Sequence, residues 1–240
     1  MSSILITGAS HGVGRAFALA CAGTGRYRKI ILNGGHDADA LDETARRVSA
    51  AGDLVCVADL GDVGDLRYVE SLRRRFGPVD TLINNAAVSR VGLLTETSPE
   101  DWDLMMRVNV TALYNTCRTY VPDMISAGGG RILNVSSVWG LAGASCEVAY
   151  SATKGAVNAF TKALARELAP SHICVNAIAP GILDTRMNSH LTETETAEIR
   201  NQIPAGYIAS PEEAAQAMLR LLEMPEYFNG EIVRFDGCWI

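Results

Sequence analysis

Tyr150 and Lys154 stand four residues apart in the run Tyr150-Ser151-Ala152-Thr153-Lys154. On a helix that spacing sends both side chains from one face, a turn apart, so the ammonium can lie close to the phenol. A free phenol ionises near pH ~10 and is a poor acid–base catalyst at neutrality, and an adjacent positive charge favours the phenolate and lowers that value. Upstream, Ser137 closes the run Arg131-Ile132-Leu133-Asn134-Val135-Ser136-Ser137, which reads as a buried strand with a hydroxyl at its end. A carbonyl oxygen held between Ser137 and Tyr150 would be polarised by the first and protonated by the second while hydride reaches its carbon.

Such chemistry needs a hydride source, and the N-terminus reads as a seat for one. Ser3-Ile4-Leu5-Ile6-Thr7 is a short apolar strand, followed by Gly8-Ala9-Ser10-His11-Gly12-Val13-Gly14 and a helical pattern from Arg15 to Ala22. Glycines at a strand-to-helix turn let the backbone approach a pyrophosphate, which then faces the free amides and positive dipole of the helix start. Further apolar runs read as strands near 29–33, 54–58, 80–84, 131–135, 173–178 and 231–235, with amphipathic stretches between them and first-turn signals at Pro99-Glu100 and Pro211-Glu212. This alternation predicts an α/β fold, a doubly wound parallel sheet of about seven strands with helices on both faces and a ligand at the carboxyl ends of the strands. No linker-like break, repeat or low-complexity stretch interrupts it, so residues 1–240 are expected to form one domain.

Composition excludes several other classes. A net charge of -6 disfavours a nucleic-acid footprint, and the one compact basic run, Arg73-Arg74-Arg75, reads as the solvated end of a helix. The cysteines at 21, 56, 117, 146, 174 and 238 show neither a CxxC pair nor a zinc spacing, which predicts small buried thiols in a reducing compartment and no metal. Nowhere do about eighteen apolar residues run together, and the chain enters its first strand without a leader-like segment, so a cytoplasmic protein without a membrane partner is expected.

With these residues in place, the sequence resembles the short-chain dehydrogenase/reductase family over essentially its whole length, which implies a Rossmann fold and an NAD(P)-dependent oxidoreductase. Thr7 to Gly14 is similar to the family's cofactor turn, with Gly8, Ser10, His11, Gly12, Val13 and Gly14 at the dinucleotide. Asp59-Leu60 is similar to its adenine contact, and Asn84-Asn85-Ala86-Ala87 to the segment ending its fourth strand, with Asn85 and Ala86 lining the cofactor. Asn109, Ser137, Tyr150 and Lys154 match its catalytic tetrad, and Pro180, Gly181, Leu183 and Thr185 fall in the loop that grips the nicotinamide amide. The resemblance implies that Tyr150 is the acid/base and that Ser137 orients the carbonyl. It gives Lys154 the nicotinamide ribose and a share in lowering the phenol's pKa, and it has Asn109 hold a water that feeds protons through Lys154.

Two departures bear on function. Ala87 replaces the family's usual glycine, which is tolerable unless that position needs a positive φ. The second strand runs into Asn33-Gly34-Gly35-His36, with no carboxylate at Gly34 or Gly35 to bind a ribose diol and repel a 2′-phosphate. Asp37 reads as a helix cap or solvated residue. The cofactor expectation therefore favours NADP over NAD, with His11 and His36 able to face the phosphate.

The substrate pocket falls to 88–96, 138–149 and 183–205. The stretches 136–147 and 182–188 resemble a bacterial branch labelled 3-oxoacyl-carrier-protein reductase, whose members include reductases of an aminopentanone group on a lysine of elongation factor P. Three readings follow: a 3-oxoacyl-carrier-protein reductase, an aminopentanone reductase acting on elongation factor P, and a catalytically idle nucleotide-binding or regulatory protein. Arg90, Arg107, Arg118 and Arg186 are candidates for meeting an acidic carrier. The family usually assembles as homotetramers through the helices expected at about 99–127 and 149–168, where Leu104, Val108, Leu113 and Val121 form an apolar stripe. Glu147 and Trp139 are expected at the substrate rim, where a carboxylate beside an indole favours a substrate ending in an ammonium group.

Overall fold

The structure is a computed structural model that describes residues 2–189 and 191–240; His190, inside the expected substrate segment 183–205, and Met1 lie outside the described residues. Seven parallel strands, β1 (Ser3–Ile6), β2 (Lys29–Gly34), β3 (Val55–Leu60), β4 (Thr81–Asn84), β5 (Gly130–Val135), β6 (Ile173–Pro180) and β7 (Ile232–Phe235), lie in the order β3-β2-β1-β4-β5-β6-β7. Chain direction across the sheet reverses between β1 and β4, where Ile6 registers with Ile83 and with Leu32 of β2. A reversal of this kind opens a crevice at the strands' carboxyl ends.

Alternation within the apolar runs explains the layering. Ile4, Ile6, Ile30, Leu32, Ile83 and Ile178 point to one face and pack on α1 (Gly12–Gly23), α2 (Ala38–Ala51) and α9 (Pro211–Glu223). Leu5, Ile31, Leu82, Ile132 and Val175 point to the other, against α3 (Leu66–Phe76), α5 (Ala112–Ala127) and α7 (Val148–Leu168). A strand buried on both faces is apolar at nearly every position, which is why these runs carry no polar alternation, and the buried Asn33, Asn84, Asn134 and Asn176 each find hydrogen-bond partners. Each such Leu or Ile contributes about 1.5–3 kcal/mol by leaving water.

Helix starts follow the local signals. Ser98 accepts the Asp101 amide ahead of Pro99 in α4 (Pro99–Met106), and Ser210 forms a capping box with Glu213 ahead of Pro211 in α9. The helix expected over 99–127 is interrupted. Between α4 and α5 lies a π-helical turn, Arg107–Thr111, in which the Ala112 amide donates to the Arg107 carbonyl. The extra residue in that turn carries Asn109 inward.

Other expectations need correction. Arg73 and Arg75 are not simply solvated: Arg73 forms a two-bond pair with Asp123 of α5, and Arg75 pairs with Asp59 at the end of β3. Leu113 is core and Val121 packs against it, so the apolar residues left exposed on α4 and α5 are Trp102, Tyr114 and Ile125. Of the cysteines, Cys21, Cys117 and Cys174 are buried, while Cys238 is exposed. Among the described residues no helix is long and apolar enough to cross a membrane.

Candidate active site

Three elements converge at the carboxyl end of β5. Ser136 and Ser137 follow the strand directly, and the Ser136 hydroxyl donates to Asn158 of α7 at 2.6 Å. The short α6 (Trp139–Ala142) then packs on α7 so closely that a Cβ on Gly140 would stand 2.6 Å from the Lys154 carbonyl carbon. Asn158 Nδ2 donates to the Gly140 carbonyl at 2.9 Å, which holds the two helices in register. As a result the buried Ser137 hydroxyl stands beside the buried Tyr150 phenol. Ser137 Oγ also accepts the Trp139 amide at 3.2 Å.

Lys154 lies beneath, one turn along α7, its Nζ donating to the Val135 carbonyl at 2.8 Å and standing 5.5 Å from the centre of the Tyr150 ring. Burial pushes the ammonium down to about 8. The expected lowering of the phenol does not emerge: burial pushes Tyr150 above its ordinary range, the Glu147 carboxylate adds to that, and only the Ser137 hydrogen bond pulls it down. Removal from water outweighs the neighbouring cation, so the phenol stays protonated at neutrality.

Asn109 clamps a loop. Its Oδ1 accepts the Val88 amide, while its Nδ2 donates to the Val88 carbonyl and to Thr153 Oγ1, all at 2.8–3.0 Å. Both Nδ2 hydrogens are committed, so a water at this position would meet the main chain rather than the carboxamide N–H. A cavity of about 10 Å³, lined by Asn84, Asn109, Thr116 and Lys154 among others, has room for a single water.

The N-terminal turn is fixed by contacts among Thr7, Gly8, Gly14 and Asn85. Thr7 Oγ1 accepts the amides of Asn85 and Ala86, and Asn85 Nδ2 donates to the carbonyls of Thr7 and Gly8. Gly8 takes φ +67°, and a Cβ there would stand 2.8 Å from Ala86 Cα; on Gly14 it would stand 2.2 Å from the Gly8 carbonyl oxygen. The following helix starts open: His11, its N-cap, makes no side-chain cap, whereas Asp37, Asp65, Ser98, Thr192 of α8 (Glu193–Gln202) and Ser210 each cap theirs. Uncapped amides behind a glycine turn fit a pyrophosphate. Ala87 is not among the positive-φ residues, so its methyl is tolerated.

The remaining candidates lie around the same cleft. Gly181 donates to the Phe235 carbonyl, Leu183 is buried and bridges to Ala209, and Thr185 Cγ2 lies 3.5 Å from where a Gly12 Cβ would be. Asp59 engages Arg75 and the Tyr68 hydroxyl, and the Arg75 guanidinium holds its carboxyl below the usual range. Leu60 beside it is exposed. Asp37 is the cap of α2 through Oδ1, and its Oδ2 meets His11 at 2.7 Å, so both oxygens are engaged. Gly34 is tight: a Cβ there would stand 2.4 Å from Ser10 Oγ.

The contacts that join the rim segments had no local signal, and Trp239 lies outside the segments expected there. Ser89 Oγ donates to Glu147 Oε2 at 3.1 Å, the Cys146 carbonyl accepts the Gly92 amide, and Trp239 packs on Trp139 with ring centres 5.0 Å apart. Trp139 and Val88 in turn pack against Tyr150. Each pairing joins segments remote in sequence.

This topology, with a serine at the end of β5 facing a Tyr-x-x-x-Lys helix beside an open glycine turn, defines an oxidoreductase of the short-chain, NAD(P)-using class. A family model described as short chain dehydrogenase matches residues 2–196, and the chain belongs to that family. The chain is 38% identical to the uncharacterized oxidoreductase YmfI of Bacillus subtilis, over 98% of this chain and 97% of that one. It is 35% identical to the 3-oxoacyl-[acyl-carrier-protein] reductase FabG of Aquifex aeolicus, over 97% and 95%. A crystal structure from Agrobacterium tumefaciens, assigned provisionally as a 2-deoxy-d-gluconate 3-dehydrogenase and holding NADP, superimposes with a TM-score of 0.89 at 31% identity, covering 99% of this chain and 96% of that one.

Proposed function

We propose that the protein is an NADPH-dependent carbonyl reductase of the 3-oxoacyl-carrier-protein reductase type, with Tyr150 as proton donor. The observation that carries this is the buried Ser137–Tyr150 hydroxyl pair above Lys154. The bound nicotinamide supplies a hydride. Ser137 Oγ and Tyr150 Oη hold the carbonyl oxygen, and Tyr150, kept neutral by its burial, gives that oxygen its proton as the alkoxide forms. Lys154, poised near neutrality, then returns a proton to the phenolate, with the one-water cavity beside Asn109 as the supply. Gly8, Ser10, His11, Gly12, Val13 and Gly14 seat the pyrophosphate, Asp59 and Leu60 the adenine end, and Asn85 and Ala86 the wall between. Pro180, Gly181, Leu183 and Thr185 hold the carboxamide, and Tyr150 and Lys154 the nicotinamide ribose.

NADPH is expected to give the higher kcat/KM, because Gly34 and Gly35 offer no carboxylate and both oxygens of Asp37 are engaged. A higher kcat/KM with NADH would overturn this. Gly34→Asp should move the preference toward NADH once Ser10 turns its hydroxyl aside, through repulsion of the phosphate.

One observation favours a second substrate, the aminopentanone group on elongation factor P. Glu147 stands at the rim with Ser89, and Trp139 with Trp239, so a carboxylate and an indole pair face a substrate end. Glu147→Gln should then raise KM severalfold for an aminoketone and leave a neutral ketone of equal length unchanged, in keeping with a charge-assisted bond of about 1.5–3 kcal/mol weakened by solvent. Equal effects on both would return the assignment to acyl chains. Arg90, Arg107, Arg118 and Arg186, candidates for an acidic carrier, are engaged by Asp101, Asp62, Tyr114 and the pair His11 and Asp37, in exposed contacts that a carrier could exchange at small cost. Assembly as a cytoplasmic homotetramer is part of this reading, with the exposed Tyr114 and Ile125 of α5 on one face. The deciding experiment compares kcat/KM for an acetoacetyl thioester and for elongation factor P carrying the aminopentanone group, with both cofactors.

A further inference from the structure

Arg186 opens the turn Arg186–Asn188, directly after Thr185, and its guanidinium reaches the opposite wall of the cleft. Its Nη1 lies 2.9 Å from His11 Nε2 and 3.4 Å from Asp37 Oδ2, and those two atoms are 2.7 Å apart. One imidazole nitrogen cannot donate to a carboxylate and accept from a guanidinium at the same moment. The cluster therefore has two arrangements. With Nε2 protonated, the ring donates to Asp37 and Arg186 is held by the carboxylate alone; with Nε2 bare, Arg186 donates to both. In either, the carboxylate holds Arg186 by one contact of 3.4 Å, and 65% of the arginine side chain is exposed.

The surroundings are cationic. Arg15, on the first turn of α1, donates to the Ser10 and Ala40 carbonyls and to Thr44 Oγ1, with no carboxylate among these partners. His11 and Arg186 thus share one acid, Asp37, with Arg15 tied to the Ser10 carbonyl beside them. A phosphate monoester carries about two negative charges and three acceptor oxygens, which suit a guanidinium fork better than one long contact to a carboxylate does.

We propose that Arg186 is a specificity-determining residue for the phosphorylated cofactor: it leaves Asp37 to take the 2′-phosphate together with His11, and so carries the 183–188 segment over the cleft. The inference rests on the cofactor reading above and extends it to a residue on the substrate segment. Asp37 acts against the phosphate, competing for Arg186 and repelling the ligand.

The test is direct binding, by calorimetry, of NADPH, NADH, 2′,5′-ADP and 5′-AMP. Arg186→Gln should weaken NADPH and 2′,5′-ADP about tenfold, about 1.4 kcal/mol, while NADH and 5′-AMP change less than about twofold. Arg186→Lys should fall between, since it keeps the charge and loses the fork. Asp37→Asn, which preserves the cap, should tighten NADPH and leave NADH unmoved. Equal weakening of both dinucleotides by Arg186→Gln, or no change in either, overturns the proposal while leaving the cofactor reading intact. A wild-type protein that binds neither dinucleotide overturns both.

Discussion

Tyr150→Phe should lose between about 10²- and 10⁴-fold in kcat for ketone reduction while its melting temperature stays close to wild type and NADPH still binds, weakened only by the one ribose contact the phenol supplies. The ring packs with Met105 and Ala149 against Val88 and Trp139, and phenylalanine preserves all of that packing. What disappears is one hydroxyl and the proton it carries. Because burial and Glu147 hold that proton on the phenol through neutrality, nothing titrates there to compensate. Lys154, pushed down to about 8, sets the pH dependence instead: its ammonium is present below that value and lost above it, so the wild-type rate should fall as pH rises through about 8. Stopped-flow reduction of a simple diketone, with a calorimetric melt of the same sample, checks both halves. Near-normal turnover would remove Tyr150 from the chemistry.

Gly14→Ala should abolish measurable dinucleotide binding and destabilise the fold by about 1–3 kcal/mol, the range for forcing a methyl into a packed site. The new Cβ would lie 2.2 Å from the Gly8 carbonyl and 2.6 Å from Asn85 Nδ2. Neither neighbour can retreat, since Gly8 is wedged on Ala86 Cα and the Asn85 amide bonds the carbonyls of Thr7 and Gly8. Gly23→Ala is the matched control. It lies at the end of the same helix with nothing within 4 Å of the added methyl, and should be neutral or stabilising by about 0.4–1 kcal/mol. Comparable losses in both variants would show that helix α1, rather than the turn, sets the binding.

The strands and the shared placement of Tyr150 and Lys154 on α7 beyond Ser137 were legible because their signals are local. Ile4 to Ile6 is apolar at successive positions whatever lies beyond it, and Tyr150 and Lys154 share a helical face by spacing alone. Pro99 and Pro211 likewise marked helix starts to the residue. What escaped depends on partners distant in the chain. Arg75 looks like one member of a basic run until β3 brings Asp59 beside it, and Leu113 looks like surface until α5 lies on the sheet. The phenol's environment failed for a related reason: spacing places Lys154 near Tyr150, whereas burial, which decides the direction, belongs to the packed whole. Trp239 and Arg186 reach the cleft only through the course of the chain after β7 and β6.

The π turn at Arg107–Thr111 makes chain length, as distinct from residue type, a determinant of the site. The wide turn absorbs one residue more than an α-helical turn holds, so removing one there would restore a continuous helix with α4 and α5 close to their present phase and would shift the residues of the turn itself. Asn109 would face away from Val88 even though every functional side chain was still present. Positions 107–111 therefore count residues for the candidate site, and a chain one shorter could keep Asn109, Ser137, Tyr150 and Lys154 and still lack the arrangement that joins them.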